Sequence, residues 1–447
     1  MWIVSAFSEG VVGAGFAAGT GVWTGVGLLR WGMDAVVGAT GEGFGAVLGM
    51  TSEAFVAAFA GRVIVEDPNS PTQRMGGTKG AMEAYRRLWR DGRVEMGLVG
   101  GGVVVVPRPV VKRVLREESS EGEVVKFLVG VGAGVAVEGG KVLASGGEGE
   151  AVELNVESVL IPMIGKGGHA SYTLCVSSQV GCAMGCVFCE TAQMGLIRNL
   201  GAHEIAAQLF AATHCVALSN GERARVENIV FMGMGEPMDN FDAVLGAIAV
   251  MKDHNGPHIA VSQITVSTVG RVDGIRKMAE AIKQPGWHRL GLALSLNAPN
   301  DAVRSEIMPI NRKYDMAALQ SALMEWPRFA GNKICVEYVL IPGVNDGEQH
   351  LDEVAAFVEP LKNGDGTKAR AMVNLIPYNP RRNSPWPAPD ESRVEWFLAG
   401  LIARGVFAKR RRTKGRRMMG ACGQLGTEEI RGRKLVGLGV SAPKREG

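Results

Sequence analysis

Residues 175–199 read CVSSQVGCAMGCVFCETAQMGLIRN, and within them Cys182, Cys186 and Cys189 fall at C-x3-C-x2-C spacing. Gly181 and Gly185 precede two of the three, so the thiolates sit on a loop with little side-chain bulk and can converge on one metal centre. A structural zinc site takes four ligands at regular spacing. The next candidates, His203 and Cys215, fall in the stretch that reads as the following helix. A four-iron cluster ordinarily takes four Cys, so three point to one iron kept open for another ligand.

Composition bounds the rest. The chain has 447 residues, 46% hydrophobic and 21% charged, which is ordinary for a globular protein with room for one large domain and something smaller. A net charge of +3 names no partner by itself. Seven cysteines, three at metal spacing, argue for a reducing compartment and against a disulfide framework, so the expected location is cytoplasmic. Residues 1–75 read as a Gly/Ala-rich extension of unassigned role. Within it Val11–Leu29 is uncharged and 19 residues long, but six glycines and the lack of a preceding basic residue argue against a span or a signal, so no membrane is expected.

Residues 76–165 read as a small accessory domain: a helix with Met82, Tyr85 and Trp89 on one face, then a hairpin of Val110–Glu117 and Val124–Val129 turning at Ser-Ser-Glu-Gly, then a strand Glu153–Ile161. Residues 166–408 alternate apolar strands with helical stretches, the pattern of a parallel α/β sheet. Six such units predict a partial (β/α)6 barrel, open on one side, with its chemistry on the loops after the strands. Those loops carry Met232-Gly-Met-Gly-Glu-Pro237, Ser267-Thr-Val-Gly270, Ser295-Leu-Asn-Ala-Pro299 and Pro377-Tyr-Asn-Pro380. Short polar groups on one face suit a nucleoside with a charged tail. Residues 409–447 open with KRRRTKGRR, seven of nine basic, which suits phosphates, and lead into ACGQL with Cys422 between Ala and Gly.

The segment from Glu157 to Leu425 resembles the RlmN/Cfr family of radical S-adenosylmethionine (SAM) RNA methyltransferases. The motifs that carry this are ESVLIP, CVSSQVGCAMGCVFC, RNL, FMGMGEP, VSTVG, SLNAPND, MPINRKY, EYVLIPGVND, NLIPYNP and ACGQL, in that order over about three-fifths of the chain. The resemblance implies a radical SAM barrel whose Cys182, Cys186 and Cys189 hold a 4Fe-4S cluster. SAM, two per turnover, would be bound by Gly235, Glu236, Ser267, Ser295, Leu296, Asn297 and Asn379. It further implies that Cys422 carries the methyl group, that Cys175 resolves a covalent RNA adduct through a transient disulfide, and that Glu157 accepts the ring proton. The substrate would be carbon 2 of an adenine in 23S rRNA and in tRNA, with a reductant such as flavodoxin as electron donor. That carbon is electron-poor and resists direct displacement on SAM, which is why such chemistry needs a radical made by the cofactors.

Three features depart from the family pattern: Asn297 where SLHAP is usual, Arg416-Arg-Met-Met419 in place of acidic residues, and a longer link at Met163–Ser171. Two other readings share the motifs: methylation of adenine carbon 8 or of another RNA target, and a catalytically silent RNA-binding relative.

Overall fold

In a computed structural model the chain is described over residues 43–138, 141–142, 150–165, 168–329, 334–361 and 371–426. The Val11–Leu29 stretch and the tail after residue 426 lie outside the described residues.

Among the described residues, seven parallel strands run side by side in chain order: Ala170–Cys175, Val226–Phe231, Ile264–Thr268, Gly291–Ser295, Ile334–Leu340, Ala371–Pro377 and Ala408–Arg410. Their apolar runs are buried on both faces, as parallel strands covered by crossover helices require. Ile229, Ile264, Val266, Leu294, Val336 and Leu375 are all inaccessible to solvent. The connecting helices are Ala202–Phe210, Phe241–Met251, Val272–Ala281, Met316–Glu325, Glu348–Val358 and Glu391–Ala403. Helix Met316–Glu325 starts where Asp315 accepts the Ala318 N–H at 2.8 Å. The strand path is open, with Ala408–Arg410 at one end and Val111–Ser119 at the other, so the fold is the expected partial barrel. The seventh strand was not expected, because it is three residues long and begins inside the basic run.

The hairpin strands Val111–Ser119 and Gly122–Glu138, with Glu150–Ile164, form an antiparallel wing that extends this same sheet by pairing onto Ala170–Cys175. The sheet therefore crosses the expected boundary at residue 165. The longer link before the cysteine stretch is extra hairpin, since pairing continues through Met163↔Ser171 and Ile164↔Ala170.

A second, smaller core lies N-terminal to the wing. Helix Gly77–Asp91 buries Ala81, Ala84, Tyr85, Leu88 and Trp89, and Met82 lies at the edge of that face. It ends at Gly92, whose φ of 65° is the left-handed conformation a helix stop favours. This core includes Ala206, Phe210 and Val250, so it packs on the first two barrel helices. Arg86 donates to Asn255 Oδ1 at 2.9 Å across that contact. No helix among the described residues is long and apolar enough to cross a membrane.

Candidate active site: two cavities meeting at Cys422

The first cavity opens at the C-terminal ends of the parallel strands. Cys182, Cys186 and Cys189 line it together with Gly235, Glu236, Ser267, Ser295, Asn297, Glu337 and Cys422. The cysteine loop is shaped by Gly181, whose φ is 79° and where a Cβ would lie 1.9 Å from the Gly195 carbonyl oxygen. The Cys182 N–H bonds that same carbonyl at 2.9 Å. Burial pushes all three thiols up, so they are protonated until a metal draws the protons off. Among the described residues no three Cys, His, Asp or Glu side chains converge tightly enough to hold a single metal ion.

Two carboxylates are buried in the wall. Glu236 accepts the N–H groups of Met238 at 3.1 Å and Val269 at 2.9 Å. Burial nonetheless raises it from an ordinary 4.5 to about 7. Gly235 holds φ 101° and a Cβ there would strike Gln179 at 2.6 Å, so its smallness serves packing against the cysteine stretch. Glu337, in the strand Ile334–Leu340, accepts from Ser267 Oγ at 3.1 Å and Ser295 Oγ at 3.4 Å through one oxygen. Its other oxygen has no hydrogen-bond partner and lies 3.7 Å from Arg411 Nη1. Glu337 escaped the sequence reading; the available signal was a lone carboxylate in the apolar run ICVEYVL, a residue type rarely buried without purpose. Asn297 takes φ 55°, a conformation Asn tolerates, and its Oδ1 accepts the Val339 N–H at 3.0 Å.

The second cavity is lined by Cys175, Asn379, Arg411, Arg412, Lys414, Gly420 and Cys422, among others. Cys422 thus borders both cavities. Cys175 is the last residue of its strand, in register with Val159 on one side and Val230 on the other. Burial, with Cys422 next, pushes its thiol up to about 12. Burial also raises the Cys422 thiol, while the Arg411 guanidinium pulls it down. Cys422, Glu337 and Cys175 in turn push Arg411 up, so it is a fixed cation between the thiols.

Three expected residues sit elsewhere. Leu296 has its side chain in the core, and its N–H and C=O bond the Glu337 carbonyl and Arg304 Nε. Asn379 lines the second cavity, donating to the Cys422 carbonyl at 3.4 Å and accepting from Arg416 Nε at 3.0 Å. Glu157 lines neither cavity. The basic run is also not one solvated face: Arg410 pairs with Glu391 and with Glu395, Arg411 turns inward, and Lys414 pairs with Glu121 at 2.9 Å. Lys409, Arg412, Arg416 and Arg417 remain exposed.

Residues 176–357 match the radical SAM superfamily. The "Probable dual-specificity RNA methyltransferase RlmN 1" of Protochlamydia amoebophila is 41% identical over 283 residues, 63% of this chain and 72% of that protein. The dual-specificity RNA methyltransferase RlmN of Lawsonia intracellularis is 39% identical over 272 residues, 61% and 72% of the two chains. The crystal structure of a radical SAM methyltransferase from Sphaerobacter thermophilus superposes with a TM-score of 0.63 at 29% identity, covering 85% of this chain and 98% of that one. The chain belongs to the RlmN family of radical SAM RNA methyltransferases.

It is a SAM-dependent RNA methyltransferase, and its family's cofactors are a 4Fe-4S cluster and SAM. The first cavity fits both. Cys182, Cys186 and Cys189 of this RlmN-family chain all line its wall, and thiols are the donors that such a cluster takes. SAM carries positive charge on sulfur and on its amine, and the wall offers two buried carboxylates, Glu236 and Glu337.

Proposed function

We propose that this enzyme methylates carbon 2 of an adenine in 23S rRNA, with tRNA as a second substrate, through a methyl group carried on Cys422. The observation that supports it most is the position of Cys422, shared by a cavity lined with Cys182, Cys186, Cys189 and Glu236 and by a cavity lined with Cys175 and cations. A group on its sulfur can be loaded from one side and delivered to the other by a short movement of its loop.

In this reading Cys182, Cys186 and Cys189 hold the cluster. Glu236, Ser267, Ser295 and Asn297, with the backbone at Gly235, surround SAM. When bound, these cofactors supply the one-electron chemistry that activates a methyl C–H bond. The chain's own part is to position and release. Arg411 steadies negative charge at either thiol, being half-buried and lining the same cavity as both. Asn379 holds the Cys422 carbonyl. Once the carbon–carbon bond has formed by radical addition, Glu157 takes the ring proton and one electron leaves the adduct, for which the cluster, when bound, would be the acceptor. Cys175 Sγ then attacks Cys422 Sγ, the bond from sulfur to the new carbon breaks, and that carbon leaves with the electron pair and takes a proton. The resulting disulfide must be reopened by a reductant, as in other transient cytosolic disulfides. A cytoplasmic location and a flavodoxin-type electron donor belong to the same reading.

The deciding experiment is mass mapping of adenine methylation in ribosomal and transfer RNA from cells with and without the gene. Loss of 2-methyladenine from 23S rRNA is the expected result. Loss of 8-methyladenine instead would transfer the enzyme to carbon 8, and no change in RNA would remove the proposal.

A further inference from the structure

The loop that bears Cys422 is clasped at both ends by one buried ion pair. Lys126, in strand Gly122–Glu138, and Glu157, in strand Glu150–Ile164, point from the same face of the sheet. The register sets Leu128 opposite Glu157 and Val159 opposite Lys126, which makes the two charged residues diagonal neighbours. Their side chains are 4% and 5% exposed, and Lys126 Nζ lies 2.8 Å from Glu157 Oε1. Both also reach the loop. Lys126 Nζ donates to the Met419 carbonyl at 2.9 Å, and Glu157 Oε2 accepts the Gly426 N–H at 2.7 Å. Cys422 lies midway between those anchors.

This arrangement constrains Glu157. While the loop is docked, one carboxylate oxygen faces Lys126 and the other is occupied by the loop backbone. It also lies beneath the loop and outside both cavities. A carboxylate in that position cannot receive a proton from a base in the second cavity until the loop lifts and Gly426 leaves it. Without Lys126 the docked state would hold an uncompensated buried charge, so the clasp depends on the cation.

We propose that Lys126 is a positioning residue: it keeps the Cys422 loop docked between the cavities and keeps Glu157 engaged until that loop moves. The order of events follows, with the carrier thiol leaving first and the proton acceptor becoming available second. The inference rests on Cys422 as carrier and Glu157 as acceptor, but its central claim concerns docking and can be tested without turnover.

The test is N-ethylmaleimide labelling of the reconstituted holoenzyme, read by peptide mass spectrometry for wild type, Lys126→Met and Lys126→Arg. Lys126→Met should label Cys422 about tenfold faster or more, because an undocked loop samples solvent freely, while Lys126→Arg stays near wild type. Cys215, half-buried at the end of the helical segment Ala211–Cys215 that continues helix Ala202–Phe210, should label at an unchanged rate and reports any general unfolding. An unchanged Cys422 rate in Lys126→Met, with Cys215 also unchanged, would overturn the proposal. Should Lys126→Met raise labelling at Cys215 too, Glu157→Gln decides. It keeps an acceptor for Gly426 but removes the ion pair, so Cys422 should still label several-fold faster; an unchanged rate there counts against the clasp. Methylation persisting in Cys422→Ala would instead remove the carrier reading while leaving the labelling result intact.

Discussion

The two cavities that meet at Cys422 are built by opposite means. The first is walled by strand ends and by loops held through backbone bonds, such as Cys182 N–H to Gly195 C=O and Gly233 N–H to Val176 C=O. Its charged groups are the buried carboxylates of Glu236 and Glu337. The second is closed on one side by the Cys422 loop, which is held mostly by side chains reaching from far away in sequence: Lys126, Glu157, Glu117, Asn379. Its charged lining is cationic. One cavity is therefore prefabricated by the sheet and suits a small cation. The other exists only while a loop is docked and suits an anionic polymer. Separate failure of the two cavities on mutation is the consequence.

The largest effects should come from the first cavity. Cys182→Ala, Cys186→Ala or Cys189→Ala should each abolish the iron–sulfur chromophore and all SAM cleavage, with anaerobic protein falling from about four irons per chain toward none. RNA binding, measured by filter retention, should change little. If RNA affinity collapsed together with iron, the two cavities would not be independent and the comparison would break.

Next come the thiols on the shared border. Cys175 is fixed in a strand paired on both sides, whereas Cys422 is on the clasped loop. Cys422→Ala should lose methylation entirely and trap nothing. Cys175→Ala should also stop turning over, but should accumulate RNA covalently attached to the peptide that contains Cys422. An adduct on Cys175 in the Cys422→Ala protein would reverse the assignment, and full turnover of Cys175→Ala would remove that thiol from the reaction.

These assignments show what was legible beforehand. Residue type and spacing were enough for Cys182, Cys186 and Cys189, and strand periodicity put Ser267 and Ser295 at strand ends, because both signals are local. Glu337 was hidden for the converse reason: one carboxylate in a strand pattern says nothing of which neighbours its face meets. Arg411 was misread as one phosphate contact among several, since adjacency to other arginines carries no information about which guanidinium turns inward beneath Met232 and Glu337. The clasp was wholly illegible. Lys126 and Met419 are 293 positions apart, and only the antiparallel wing joining the barrel sheet brings them together.

Charge in the first cavity gives a smaller, graded effect. Burial raises Glu236 from 4.5 to about 7, so between those values the folded cluster-free protein keeps a proton that the unfolded chain has lost. Stability must then fall as pH rises across that window, by roughly 3 kcal/mol in total. Urea unfolding of the cluster-free protein at pH 5, 6, 7 and 8 should show the decline, and Glu236→Gln should flatten it. SAM, as a cation, should stabilise the wild type more at pH 8 than at pH 5. An equal slope in the Gln variant would mean that some other group titrates and that this wall is not tuned for positive charge.

The smallest effects should come from the cations around the second cavity, and they should be unequal. Neighbouring positions in the basic run differ in what already binds them. Arg410 is engaged by Glu391 and Glu395, so its charge is spent locally. Arg412 lines the second cavity with only a distant partner in Glu121 at 3.5 Å, and Arg416 and Arg417, a few residues on, are exposed as it is. Phosphate contacts add to binding without reading sequence, and each one removed lowers the salt slope of log K by about 1. Arg412→Gln and Arg417→Gln should therefore each weaken RNA binding a few-fold and flatten that slope, while Arg410→Gln should leave both unchanged. SAM cleavage without RNA should be the same in all three. Equal losses from Arg410 and Arg412 would mean that RNA competes Glu391 and Glu395 away from Arg410, and the anionic surface of the second cavity's ligand would then extend past its mouth to helix Glu391–Ala403.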